Sequence, residues 1–256
     1  MAGGVLVAGL LMSACGGTGE AGKSADQILA DAAAALRSAK SFHLDVSQSG
    51  TSSSSNGGLG NVTVAVDVVA GQGASAAIKA GSIAAKLVIS GGKVYLQGKD
   101  FWSKFAGVQA ANLIGDRWVI LPSGSTGLSD LLMFSDTAKL ATCLQLDHGT
   151  LSKGGTTTVA GQDAVILVDK GDKPGTSPGK LYVATANPNY PLKSENSGAT
   201  KPGTPPGGTQ CTGSSQSSDG SGGSSTISIS EFNQTFTVKA PSGALDLQSL
   251  LNGGGA

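Results

Sequence analysis

Aromatic rings and charge are both scarce in this chain. Phe, Trp and Tyr make up 4% of it, and Asp, Glu, Lys and Arg only 13%. The 17 basic residues balance the 17 acidic ones. The surface therefore carries no basic footprint for nucleic acid and no polybasic patch for anionic lipid. Histidine occurs only as His43 and His148, too few for a usual zinc site. Neither Cys143 nor Cys211 has a second Cys or a His at ligand spacing, so no metal and no cofactor is expected. No Asp or Glu lies between Asp67 and Asp100. Gly71-Gln72-Gly73-Ala74-Ser75-Ala76 matches the letters of a dinucleotide fingerprint. It lacks the acidic residue that such a fold needs about 20 positions on. The residues after it alternate like a strand, so it reads as a hairpin turn. Ser123-Gly124-Ser125-Thr126-Gly127 echoes a nucleophile elbow but has no first glycine, and Pro122 precedes it. It reads as a turn, and Asp147-His148 as a solvated loop. No catalytic residues are assigned, and the chain is not expected to be an enzyme. A serine hydrolase built on Ser125, His148 and an Asp is kept as an alternative.

What is present begins with an apolar run, Val5 to Met12, followed by Ser13-Ala14-Cys15. That is the h-region and small-residue cleavage site of a secretory signal, set directly before a cysteine. The pattern is that of a bacterial lipobox, with Met12 where Leu is usual. On that reading Cys15 becomes the acylated first residue of the mature chain and residues 1–14 are removed as the signal peptide; the other reading is an ordinary signal peptide with Cys15 incidental. Two acyl chains hold a protein on a membrane where one holds it only marginally. No Lys or Arg precedes the h-region, which is consistent with a start codon further upstream. Residues 15–23 are Gly-rich and read as a flexible tether.

An exported chain meets an oxidising compartment, and lipidation of Cys15 leaves an even number of cysteines. Cys143 and Cys211 are therefore expected to form a disulfide, the other reading being two unpaired thiols.

One domain is expected over residues 24–252. Ser24 with Gln27 makes a capping box. Ile28, Leu29, Ala32, Ala33, Leu36 and Ala39 then fall on one helical face. Strands follow. Phe42, Leu44 and Val46 alternate with polar residues. Val62, Val64, Val66 and Val68 give the clearest period of two in the chain. Ala74, Ala76 and Ile78 continue it, then Ile83, Ala85, Leu87 and Ile89, with a turn at Gly91-Gly92 into Lys93–Leu96. Turns this short make an antiparallel meander with one buried face. Asp100 is expected to cap a short helix holding Phe101, Trp102 and Phe105. Residues 117–121 read as a strand, 128–140 as a helix, 150–153 and 156–159 as strands joined by a turn at Gly154-Gly155, and 164–169 and 180–184 as strands. Residues 194–225 are Ser, Gly, Thr and Pro and read as a disordered insertion. Strands at 226–232 and 235–239 and an amphipathic end segment close the chain.

In that order, a lipobox, a tether, a helix, a meander, "GKVYLQGKDFW", "DRWVILP", a helix and "GKLYVATANPNYPLK" resemble actinobacterial envelope lipoproteins of the LppX/LprG type. The resemblance implies an α+β fold: a LolA-like half-barrel, with a curved antiparallel sheet and helices on its concave face. It also implies acylated lipid or glycolipid held between sheet and helices. Val62, Val64, Val66, Val68, Ala74, Ala76, Ile83 and Leu87 are the candidate apolar wall, because the opposite faces of these strands are less apolar. The expected protein is a monomer. It sits on the extracytoplasmic face of the cell membrane, held by its lipid anchor, with no nucleic-acid partner. A closed-core envelope lipoprotein that binds a protein instead of a lipid is the first alternative.

Overall fold

In a computed structural model of the chain, residues 20–49, 61–122, 136–211 and 224–247 are described. Cys15, the expected signal segment and Ser125 lie outside them. Helix α1 spans Ala25–Ser38. Its capping box forms as the sequence predicts: the Gln27 amide donates to Ser24 Oγ at 3.3 Å, and the Ser24 amide donates to Gln27 Oε1 at 3.0 Å. Ala32 and Ala33 are fully buried. Side chains this small let the helix approach the sheet closely.

The described strands form one twelve-stranded sheet. β1 is Ser41–Ser49, β2 Val62–Val69, β3 Gly73–Ala80, β4 Ile83–Ser90 and β5 Lys93–Gln97. β6 is Val119–Ile120, β7 Leu151–Val159, β8 Gln162–Asp169 and β9 Gly179–Ala184. β10 is Pro191–Ser197, β11 Ser224–Ser230 and β12 Leu245–Asp246. Their order is β12-β6-β5-β4-β3-β2-β1-β11-β10-β9-β8-β7. All neighbours are antiparallel except β12 on β6. With helices on one side, this is the α+β half-barrel.

The sheet has two ends. At one, Ser41 faces Val69, Gly73 faces Ser90 and Ser90 faces Lys93. At the other, Ser49 faces Ser224, Val62 faces Ala80, Ala80 faces Ile83, and Asn196 faces Gly179. α1 runs between them. Its last turn leads into Ser41. Its first turn packs with Ile28 and Leu29 on Val165, Leu167 and Val183, near Leu151 and Leu181. Ala33, Leu36 and Ala39 instead join Phe42, Leu44, Val66 and Val68, so α1 lies across both halves of the sheet.

The turn at Gly71–Gly73 is the hairpin expected there. Gly73 has φ +140, and a Cβ on it would lie 1.8 Å from the Ile89 carbonyl oxygen. Only glycine lets β3 approach β4 this closely.

Several expectations need correction. Residues 20–22 are not the flexible tether expected over 15–23, because Glu20–Gly22 forms a 3-10 turn. Glu20 is 2% exposed, and Lys23 pairs with both Glu20 and Asp31. The short helix at Asp100 is a longer one, α2, Lys99–Ile114, broken at Gly107 with φ +86. Its N-cap is Gly98, which offers no side chain to the helix. The next described helix, α3, is Thr137–Leu146, capped by Asp136 Oδ1 accepting from the Lys139 amide at 2.9 Å. It runs past the expected end at Leu140, while residues 128–135 lie outside the described ones.

The expected strand over 117–121 is regular at Val119 and Ile120, with Trp118 and Leu121 adding single backbone hydrogen bonds to Leu245 and Val94. No turn forms at Gly154-Gly155, because Leu151–Val159 runs on as one strand with a bulge between Lys153 and Thr156. The segment over 194–225 is not wholly disordered. Residues 194–197 extend β10, and 224–225 open β11. Lys201 exchanges backbone hydrogen bonds with Gly175 and Thr176 at 2.8 and 2.9 Å. The polar backbone is satisfied there without an apolar core. Residues 212–223 lie outside the described ones. No strand forms over 235–239, because Glu231 and Asn233 take positive φ and turn the chain off the sheet after Ser230.

Candidate functional site

The register places all eight candidate wall residues on one face. Phe42 and Leu44, on the α1 side of β1, oppose Val68 and Val66. Val64 opposes Ile78, Val66 opposes Ala76, and Val68 opposes Ala74. Ala74, Ala76 and Ala80 oppose Ile89, Leu87 and Ile83. Side chains alternate along a strand, so Val62, Val64, Val66, Val68, Ala74, Ala76, Ile83 and Leu87 all face the helices.

They divide into two zones. Val66, Val68, Ala74 and Leu87 are buried, each at most 3% exposed. They pack with α1 and with Trp102, Ala111 and Ile114 of α2. Val62, Val64, Ala76 and Ile83 are only half-buried. They lie toward the Ser49 end. Sequence reasoning missed Ile78, Ile227 and Ile229, which join the same face and pack against the same core. The signal was available: Ile78 continues the alternation of Ala74 and Ala76, and the even spacing of Ile227 and Ile229 repeats it in β11.

Polar groups are few inside. The Trp102 indole Nε1 is buried with no hydrogen-bond partner among the described residues. An orphan donor of this kind costs about 1–3 kcal/mol, and an acceptor brought in by a ligand would remove that cost. Beside the half-buried zone a cleft of about 600 Å³ opens between the β3–β4 turn and the start of α2. Ile83, Ser82, Ser103 and Lys104 line it. A smaller cavity of about 90 Å³ lies under α3, where Leu144, Leu167 and Leu181 meet Asp147 and His148.

Cys143 and Cys211 form a disulfide, with Cα atoms 5.3 Å apart. Asp147 lies against it and accepts from the Gly207 amide at 2.7 Å. Burial raises the Asp147 pKa, against the Gly207 hydrogen bond and the His148 charge, which lower it. Cys143, Asp147 and Cys211 cluster closely enough to hold an ion. The two sulfurs are bonded to each other, which leaves only Asp147 as a ligand. The cluster therefore braces the 198–211 segment against α3.

The two histidines do not meet. His148 Nδ1 lies 2.8 Å from the Gly149 carbonyl. His43, on the outer face, sits between Asp67 at 2.7 Å and Asp45 at 3.4 Å. Burial lowers its pKa, the two carboxylates raise it, and the net shift is upward. Tyr182, also on the outer face, donates to Glu195 at 2.6 Å, which pushes its pKa up to about 12.

No family model matches the sequence, and no curated protein does. Solved structures do. The crystal structure of the Mycobacterium tuberculosis lipoprotein LppX is 14% identical, with a TM-score of 0.52 over 84% of this chain and 98% of that one. LprF from Mycobacterium bovis is 15% identical, with a TM-score of 0.54 over 86% and 97%. The chain has the LppX/LprG-type fold. At such identities the likeness speaks for the half-barrel and its helices, not for the ligand. No described helix is long and apolar enough to cross a membrane.

Proposed function

We propose that the chain is a lipid-anchored lipoprotein on the extracytoplasmic face of the cell membrane, where it binds or carries an acylated lipid or glycolipid. The observation that carries this reading is the split of the sheet's inner face. Its Ser41 end is packed, but toward the Ser49 end Val62, Val64, Ala76, Ile78 and Ile83 stay half-buried around the buried Ala80 and Ala85. Apolar ligands bind such surfaces by area burial, with a few polar groups fixing orientation. The LppX-type fold and the lipobox at Cys15 support the same reading. The protein acts as a monomer and not as an enzyme.

Organic extraction of the purified chain tests the proposal. Released acyl lipid, taken up again when added back, is the expected outcome. Protein that yields no lipid and takes none up contradicts it. The full burial of Val66, Val68, Ala74 and Leu87 favours a second reading, a closed-core lipoprotein that presents its loops to an envelope protein. A serine-directed fluorophosphonate should leave the protein unlabelled, and labelling at Ser125 would point to hydrolysis instead.

A further inference from the structure

The described residues expose four large hydrophobic side chains: Phe105 at 50%, Val108 at 64%, Leu113 at 67% and Leu146 at 40%. Isolated exposed apolar residues are ordinary. These four share one end of the half-barrel.

α2 leaves β5 after Gln97, which pairs with Lys86 midway along β4, and runs toward the Ser49 end. Its first turns line a cleft with Ala80 and Ile83, and the Gln97 side chain donates to the Asp116 carbonyl at 2.6 Å. Both ends of α2 therefore lie at that end of the sheet. Phe105, Val108 and Leu113 lie between them, on either side of or just beyond the break at Gly107. Leu146 closes α3, whose last residues meet Leu151, Asp169 and Gly179, also at the Ser49 end.

The chain enters the fold at the same end. The first turn of α1 packs near Leu151 and Leu181, and the Lys23 carbonyl accepts from Lys153 Nζ at 3.2 Å. Glu20 is the first described residue. Five residue steps from Cys15 to Glu20 span at most about 18 Å. The opposite end of β1 is about 30 Å further along the strands. An anchor at Cys15 thus keeps the Ser49 end within reach of the bilayer and holds the Ser41 end away from it.

We infer that the apolar surface of α2 around Phe105, Val108 and Leu113 docks on the lipid bilayer, which turns the half-buried wall toward the membrane. The inference rests on the lipid-anchor reading above. Lys99, Lys104 and Arg117 are nearly balanced by Asp100 and Asp116 along this stretch. Attachment is therefore by insertion of apolar side chains into the headgroup and acyl boundary, as in interfacial helices, and not by charge.

Flotation with zwitterionic phosphatidylcholine vesicles tests it. The protein used is the unacylated chain from Gly16 onward, which retains every described residue. It should float with the vesicles equally well at 0.1 and 1 M salt. The Phe105→Ser/Val108→Ser double variant should float at least tenfold less with unchanged circular dichroism. Bromine-labelled acyl chains should quench the added fluorescence of a Phe105→Trp variant. Absence of flotation, loss of flotation in high salt, or undiminished flotation of the double variant each overturns the inference. So does a dimer of the parent chain that the double variant dissolves, since the patch would then bind a second copy. Lipid content separates this from the carrier reading. If both proteins hold lipid and neither floats, only the docking inference fails. If the parent floats and holds none, only the carrier reading fails.

Discussion

Replacing Cys143 and Cys211 together by alanine should cost about 4 kcal/mol. The bridge closes a sequence separation of 68 residues. In the chain-entropy model a loop of that length restricts the unfolded state by about 4.4 kcal/mol at 25 °C. Alanine is chosen because Cys211 is 7% exposed, and a serine hydroxyl there would need a partner. For a domain of this size the loss corresponds to a melting temperature roughly 10–15 °C lower. The effect also has a local signature. The 208–211 turn is held to α3 by the disulfide and by the Asp147–Gly207 hydrogen bond. Without the disulfide, amides from Gly198 to Cys211 should lose hydrogen-exchange protection before β1 or β8 does. Thermal unfolding of the oxidised protein, the reduced protein and the double variant is the assay. The reduced protein and the variant should fall together. A double variant within about 1 kcal/mol of the parent would refute the reasoning, because the loop would then be constrained by other contacts.

Gly73→Ala should destabilise by well over about 1 kcal/mol, since its Cβ would lie 1.8 Å from the Ile89 oxygen. Gly91→Ala, with φ +59 and nothing within 4 Å, should cost only the left-handed backbone penalty of about 1–2 kcal/mol, and denaturant unfolding would compare the two. His43 gains its partners on folding, so its folded pKa is raised. Its contribution should be complete below about pH 6.5 and lost as pH rises through the folded pKa. His43→Gln should flatten that part of the stability–pH curve. Ser24→Ala should remove about 1 kcal/mol by breaking the capping box of α1. Ala76→Phe should place a ring on the half-buried wall between Val66 and Leu87 and reduce bound lipid more than tenfold, with secondary structure unchanged by circular dichroism.

Much of the fold is legible in the sequence because its strands are short and strictly alternating. The four valines of β2 fix which face meets the helices, and the turns at Gly71–Gly73 and Gly91–Gly92 fix the antiparallel neighbours. From these the candidate wall follows, and the structure places all eight residues on one surface. What periodicity does not reveal is how deeply each residue is buried. Ala74 and Ala76 look alike in the sequence, yet Ala74 is fully buried while Ala76 is half-buried. That difference comes from where α1 and α2 cross the sheet. The length of α2 is not legible in the sequence, because apolar and polar residues are spread around it and no stripe marks its extent. The order within 198–211 is equally silent in composition. It rests on backbone pairing with residues 175–176 and on one disulfide, and neither shows as hydrophobic content.

Native mass spectrometry of the chain from Gly16 onward, produced in a lipid-rich host, tests the central claim most directly. The account predicts a mass excess equal to one acylated lipid, lost in Ala76→Phe. A mass equal to that of the bare polypeptide, unchanged after incubation with envelope lipids, would contradict it.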